Sequence, residues 1–275
     1  MPFIKAERRK SKVRIWLSGM SSAGKTYTAL ELATGFGGKI GLIDTEAGRG
    51  HQYGEKFDYS VTTLTAPFLP ESYINAIAEA EKAGIECLVI DSMSQEWQTL
   101  LEEKGKLDEK GGNSFVNWNK PTRRHNAFVE AITQSSIPLI LMTCRVKRDY
   151  VISENDRGKM EPRLVGLANI QRDGFEYEMT IEFRIDKNHE AEAIKDNTGL
   201  FLGQPAAKLT KATGKLIREW HSEGKEPPPQ VVKCENCSLK GLQTPATGEE
   251  TDGHKFCKPC SDKYKELEAV KSSKE

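Results

Sequence analysis

The chain has 275 residues, room for one α/β domain and a small appendage. Its 40 basic and 40 acidic residues cancel, so net charge marks out no polyanionic partner, and any such partner must be met locally. No apolar run reaches the roughly 18 residues of a membrane span, and the basic stretch Met1–Lys12 is not followed by the apolar segment of a secretory signal, so a cytoplasmic location is expected.

In chain order, Val13–Ser18 reads as a short apolar strand and Gly19–Gly24 as a glycine- and serine-rich turn. Lys25 to about Phe36 has helical spacing. Lys39–Asp44 and Tyr59–Leu64 read as strands, and Pro70 opens a helix to about Ala83. Glu86–Asp91 is a strand with the unbroken apolar centre Cys87–Ile90. Helices are expected over Gln95–Lys104 and about Pro121–Gln134, and a further apolar strand over Ile137–Met142. Strands apolar throughout that alternate with helices imply a mainly parallel sheet covered on both faces. Val146–Asn169 has no clear period and reads as a long loop, of the kind that is usually functional. Glu176–Asp186 and Glu190–Lys195 read as an antiparallel pair turning at Lys187–His189, and a helix at about Leu209–His221 closes the domain. The expected organisation is a basic arm (1–12), the α/β domain (13–223), a proline-rich linker (224–232), a cysteine-containing module (233–265) and a charged tail (266–275).

The segment from Gly19 to Thr26 fits G-x-x-x-x-G-K-[ST], the P-loop, with a strand before it and a helix after it. Its glycines let the backbone turn close to phosphates, and the amides of the turn and helix start offer hydrogen bonds to an anion. Gly19, Ser21, Ser22, Ala23, Gly24, Lys25, Thr26 and Tyr27 are thus candidate nucleotide-binding residues. Lys25 meets the terminal phosphates, and the Thr26 hydroxyl ligates magnesium. Asp91 ends an apolar strand, at the edge where open α/β sheets bind ligands, and is the second candidate magnesium residue. Glu46, just past the second strand, is the candidate general base, with Asp44 as its competitor. Thr143 either senses the terminal phosphate or is an ordinary strand residue. No motif reads the base, so ATP and GTP stay open at this point.

Cys234 and Cys237 form one C-x2-C pair and Cys257 and Cys260 another, at a spacing that points to one structural zinc ion held by four thiolates. His254 is a bystander. So small a module should need its metal to fold, and it offers a surface for DNA or for a protein partner. Cys87 and Cys144 read as buried core thiols.

Taken together, Gly19–Thr26, Asp44-Thr45-Glu46, Leu88–Ser92, Phe115–Trp118, Glu176–Glu178 and Lys195–Asn197 resemble a RecA-like P-loop ATPase core. The closer likeness is to phage-encoded members of the single-strand annealing and recombinase-paralogue group. The resemblance covers about Lys12 to His221. It implies a RecA-like α/β fold, ATP with magnesium, Glu46 as the residue that activates water, and head-to-tail rings or filaments in an infected bacterial cell. It also implies that Lys195 reaches a neighbouring subunit's nucleotide, although Asn197 stands where such proteins often have an arginine. In such proteins the loop after the sensing strand contacts single-stranded DNA. Here that loop carries Arg145, Lys147, Arg148, Arg157, Lys159 and Arg163, diluted by Asp149, Glu154, Asp156 and Glu161. Lys120–His125 and the N-terminal arm are further basic clusters. The expected function is ATP hydrolysis in DNA recombination or annealing. The alternatives are a nucleotide-dependent assembly switch that docks a protein through the zinc module, and a packaging or helicase-type motor.

Overall fold

The computed structural model describes residues 5–154 and 160–225, together with 257, 258 and 260. The chain divides into two units, Met1–Gly224 and Lys225–Glu275. Residues 226–232 of the expected linker, Cys234, Cys237, His254 and the charged tail lie outside the described residues, as do Arg157 and Lys159.

Among its described residues the first unit is built on eight strands: β1 (Val13–Gly19), β2 (Ile40–Asp44), β3 (Ser60–Thr63), β4 (Cys87–Asp91), β5 (Leu139–Glu154), β6 (Met160–Asn169), β7 (Ile181–Ile185) and β8 (Ala191–Asp196). The helices are α1 (Lys25–Phe36), α2 (Pro70–Lys82), α3 (Ser94–Glu109), α4 (Ser114–Asn117), α5 (Asn119–Gln134) and α6 (Lys211–Ser222). The sheet runs β3-β2-β4-β5-β1-β7-β8 and is parallel except for the last pair.

The unbroken apolar runs have a direct cause. Val13, Ile15 and Leu17 of β1, Cys87 and Val89 of β4, and Leu139 and Leu141 of β5 join one core with α1 and α6. The residues between them, Trp16, Leu88, Ile90, Ile140 and Met142, join a second core with Tyr73 and Ile77 of α2 and Phe128 and Ile132 of α5. Each fully buried aliphatic or aromatic side chain contributes roughly 1.5–3 kcal/mol before entropy is counted. With both faces covered, these strands are apolar on alternate faces alike, and a polar residue that enters, such as Arg14 of β1, is buried with its own hydrogen-bond partners.

Helix α1 is fixed against α6 by close backbone approach. A Cβ on Gly35 would lie 2.0 Å from the Lys211 carbonyl oxygen, and one on Gly214 would lie 2.2 Å from that of Leu32. Thr210 and Thr213 close a capping box at the start of α6. The C-terminal half of α1 is therefore held closely against α6.

Three expectations are corrected. Val146–Asn169 is not a loop: β5 continues past the sheet and pairs antiparallel with β6, from Val146–Asn169 out to Glu154–Met160. The two strands are joined by their backbone hydrogen bonds, which place no demand on side-chain hydropathy, so the pairing need not show as an apolar period. The strand expected from Glu176 starts later, because Phe175–Glu178 is a 3-10 turn and β7 begins at Ile181. The alternation of Phe175, Tyr177 and Met179 comes from this turn, which sets Phe175 edge-on to Trp16 at 5.2 Å. Finally, the helix at Gln95 runs on to Glu109, and a short helix, α4, precedes α5.

Several basic residues near the expected basic clusters are used within the fold. Arg14 is buried and donates to the carbonyls of Ile132, Ser135 and Ile137. Arg124 pairs with Glu71 and Glu103, Lys120 pairs with Glu103, and buried His125 lies against Glu96. Among the described residues, no helix is long and apolar enough to cross a membrane.

Candidate nucleotide cleft

Parallel strands deliver their carboxyl ends to one edge, and the helices that follow start there. Here the register sets Gly19 beside Arg145, Leu17 beside Thr143, and Asp44 beside Asp91. A cleft of about 1150 Å³ opens along this edge, lined among others by Ser21, Ser22, Gly24, Lys25, Thr26, Tyr27, Glu46, Asp91 and Arg145.

The glycine-rich turn leaves β1 and enters α1 through Gly24, whose φ of 86° is left-handed. A side chain there would be strained and would also meet the His189 ring, with Nδ1 3.0 Å from its Cβ. His189 reaches the turn from the β7–β8 connection, its Nδ1 3.0 Å from the Ala23 carbonyl oxygen. The Lys25 ammonium donates at 2.9 Å to the carbonyls of both Gly19 and Met20, so it lies folded over the turn. Burial pushes its pKa down, and Asp91 and Glu46 pull it partly back.

Asp91 is buried at the floor of the cleft and accepts from two hydroxyls. Thr26 donates to its Oδ2 at 2.6 Å, and Thr143 to its Oδ1. Burial raises the Asp91 pKa, and the two threonine hydrogen bonds oppose the rise. Thr143 is fully buried and is joined to the cleft floor through this bond. Thr45 ties the ends of β2 and β4 together: its amide donates to the Asp91 carbonyl at 2.8 Å, and its hydroxyl accepts from the Ser92 amide at 2.8 Å.

Asp44 and Glu46 are separated by their partners. Asp44 is buried, and its two oxygens accept from the amides of Glu46 and Gly48, each at 2.7 Å. It caps the turn that presents Glu46 to the cleft. Glu46 is held by Arg145, whose Nη2 lies 2.6 Å and Nε 3.1 Å from Oε1, and more loosely by Arg49, 3.4 Å from Oε2. Arg145, expected among the DNA contacts, thus stands inside the cleft.

Lys195 does not reach this cleft. Its ammonium donates to the Glu176 and Tyr177 carbonyls at 2.9 and 2.7 Å. Lys147, Arg148 and Arg163 are exposed on the β5–β6 ribbon. Sequence reasoning missed Arg49, Gln52, Tyr53, His189 and Lys208, which also line the cleft. Arg49 had one available signal, a position three residues past Glu46. Tyr53 stands edge-on to Tyr27 at 5.9 Å, so two aromatic rings flank the cleft beside the turn. Four cations (Lys25, Arg49, Arg145, Lys208) face two carboxylates (Glu46, Asp91) among the lining residues, an excess suited to a polyanion.

Among the described residues, no group of three or more His, Cys, Asp or Glu is placed to hold a metal ion. Of the four cysteines expected to bind zinc, Cys257 is buried, and the Cys260 amide donates to its carbonyl at 2.9 Å.

A family model described as an AAA domain matches residues 11–201, which span β1 to β8 and carry all the lining residues named above except Lys208. A search of the curated proteins finds no match to the chain.

Proposed function

Because the chain belongs to the AAA-domain family of nucleotide-binding ATPases, we propose that it binds ATP with magnesium in this cleft and hydrolyses it to ADP and phosphate. The observation that carries the reading is the meeting, at one sheet edge, of the Gly19–Thr26 turn, the Thr26–Asp91–Thr143 hydrogen bonds and Glu46.

Each part has a task that its chemistry fits. The amides of the turn and the start of α1 take the phosphates, and Lys25 exchanges its two carbonyl partners for phosphate oxygens. Tyr27 and Tyr53 offer rings to the base. Thr26 and Asp91 present adjacent oxygen donors, the kind that suits magnesium, which when bound neutralises charge on the phosphates. Glu46 takes the proton of the attacking water. The water oxygen bonds to the γ-phosphorus, the bond from phosphorus to the bridging oxygen breaks, and its electron pair leaves on ADP.

The partner we assign is single-stranded DNA, with the protein acting in recombination or annealing as a ring or filament. The β5–β6 ribbon supports this: it stands out from the sheet with Lys147, Arg148 and Arg163 exposed, and it grows from the strand that carries Thr143 and Arg145. In such an assembly Lys195 would act across the interface between subunits. Reversing Lys147, Arg148 and Arg163 to glutamate is expected to weaken oligonucleotide binding at least about tenfold. It should also flatten the salt dependence by about 0.7 in log–log slope for each phosphate that is no longer neutralised. The same variant should lose any stimulation of ATP hydrolysis by single-stranded DNA. Binding and hydrolysis indifferent to these changes would remove DNA as the partner and favour an assembly switch.

The second unit is proposed to fold around one zinc ion held by Cys234, Cys237, Cys257 and Cys260, since four thiolates complete a tetrahedral shell. Cys257→Ser in the full chain is expected to lose most of its bound zinc by elemental analysis. Undiminished zinc would exclude four-cysteine ligation.

A further inference from the structure

The Arg145–Glu46 pair joins two groups that hydrolysis needs apart. Glu46 has both oxygens engaged by guanidinium groups, Oε1 by Arg145 at 2.6 and 3.1 Å and Oε2 by Arg49 at 3.4 Å. A carboxylate so held is parked away from a water. The backbone of Arg145 is fixed, because its amide donates to the Ser94 hydroxyl oxygen at 2.9 Å and its carbonyl accepts from the Ile170 amide at 2.7 Å. Its side chain is held only by side chains: it is 41% exposed, meets Glu46 at the cleft wall and donates from Nη2 to the Gln95 side-chain oxygen at 3.1 Å. The pivot is rigid and the guanidinium can swing.

On the reading that the cleft binds ATP, we propose that Arg145 is a catalytic residue that exchanges partners, leaving Glu46 for the γ-phosphate when a triphosphate enters. A terminal phosphate carries about two negative charges against one on the carboxylate, and its oxygens match the guanidinium fork, so the exchange is favourable. It does two things in one movement. It frees Oε1 of Glu46 to accept the proton of the attacking water, and it brings a positive charge to the γ-phosphoryl oxygens, where the transition state needs it. A diphosphate has no γ-phosphate, so with ADP the pair stays closed and the base stays parked. Arg145 begins the part of β5 that runs out into the ribbon, so whatever binds there acts on the same strand that carries this exchange.

The test uses the full chain and compares affinities for ADP and for a non-hydrolysable ATP analogue, each with magnesium. Arg145→Ala and Arg145→Gln should leave ADP affinity within about twofold of the parent, weaken the analogue about tenfold, and lower kcat on the order of 100-fold or more. Glu46→Gln should bind the analogue several-fold more tightly than the parent, because the competitor for Arg145 is weakened. That gain should vanish when Glu46→Gln is combined with Arg145→Ala. Equal losses for ADP and the analogue in both Arg145 variants would make the arginine a structural residue and overturn the proposal. So would a Glu46→Gln gain that survives without Arg145. Normal affinities in a Lys25→Ala variant would instead sink the ATP reading itself. Weak binding in Lys25→Ala with unaltered ADP-to-analogue discrimination in the Arg145 variants would sink only the partner exchange.

Discussion

Replacing Lys25 with alanine is expected to weaken the binding of magnesium-ATP by about 100- to 1000-fold. The ammonium lies over the Gly19–Thr26 turn on two carbonyl oxygens, and burial already disfavours its charge there. A phosphate arriving in the turn supplies the counter-charge that the two carbonyls only partly provide. Losing one partner of such a charge pair costs roughly 2–5 kcal/mol, and each 1.4 kcal/mol is tenfold in affinity. Titration with a fluorescent ATP analogue reads the effect directly. The fold should survive, since among the described residues Lys25 hydrogen-bonds only to its own turn. An affinity within about threefold of the parent would remove the turn as the phosphate site.

The second large effect is on turnover. Glu46→Gln keeps the shape of the side chain and removes its ability to take a proton, so kcat should fall by about 10²- to 10⁴-fold while nucleotide binds at least as tightly as before. Phosphate release under saturating ATP measures it. The neighbouring Asp44 cannot stand in, because its oxygens are spent on the amides of Glu46 and Gly48. Its replacement by asparagine should disturb the turn that carries Glu46, and so act on activity through position. Unchanged turnover in Glu46→Gln would move the base elsewhere.

Much of this site was legible in the sequence because its parts are local. The Gly19–Thr26 pattern carries its own geometry, with Gly24 in the left-handed conformation that the spacing demands. Asp91 could be read because a doubly covered parallel strand is apolar up to the residue that leaves the sheet, and here that residue is an aspartate. What stayed hidden was long-range. Arg145 looked like one more base in a charged stretch, and nothing local couples it to a glutamate 99 positions away. His189 reaches Ala23 across 166 positions, from a turn where it adopts a φ of 66°. The ribbon was missed for the opposite reason. Backbone pairing between two strands needs no particular side chains, so it left no mark on the hydropathy of Val146–Asn169. The Phe175–Glu178 turn misled because a 3-10 turn and a strand both allow an apolar residue at every second position.

The most direct measurement is a structure of the full chain with a saturating non-hydrolysable ATP analogue and magnesium. The β-phosphate is expected among the amides between Gly19 and Thr26, with Lys25 turned onto the β- and γ-phosphates and Asp91 beneath them. Nucleotide bound away from this turn, or a turn left empty at saturation, would contradict this placement.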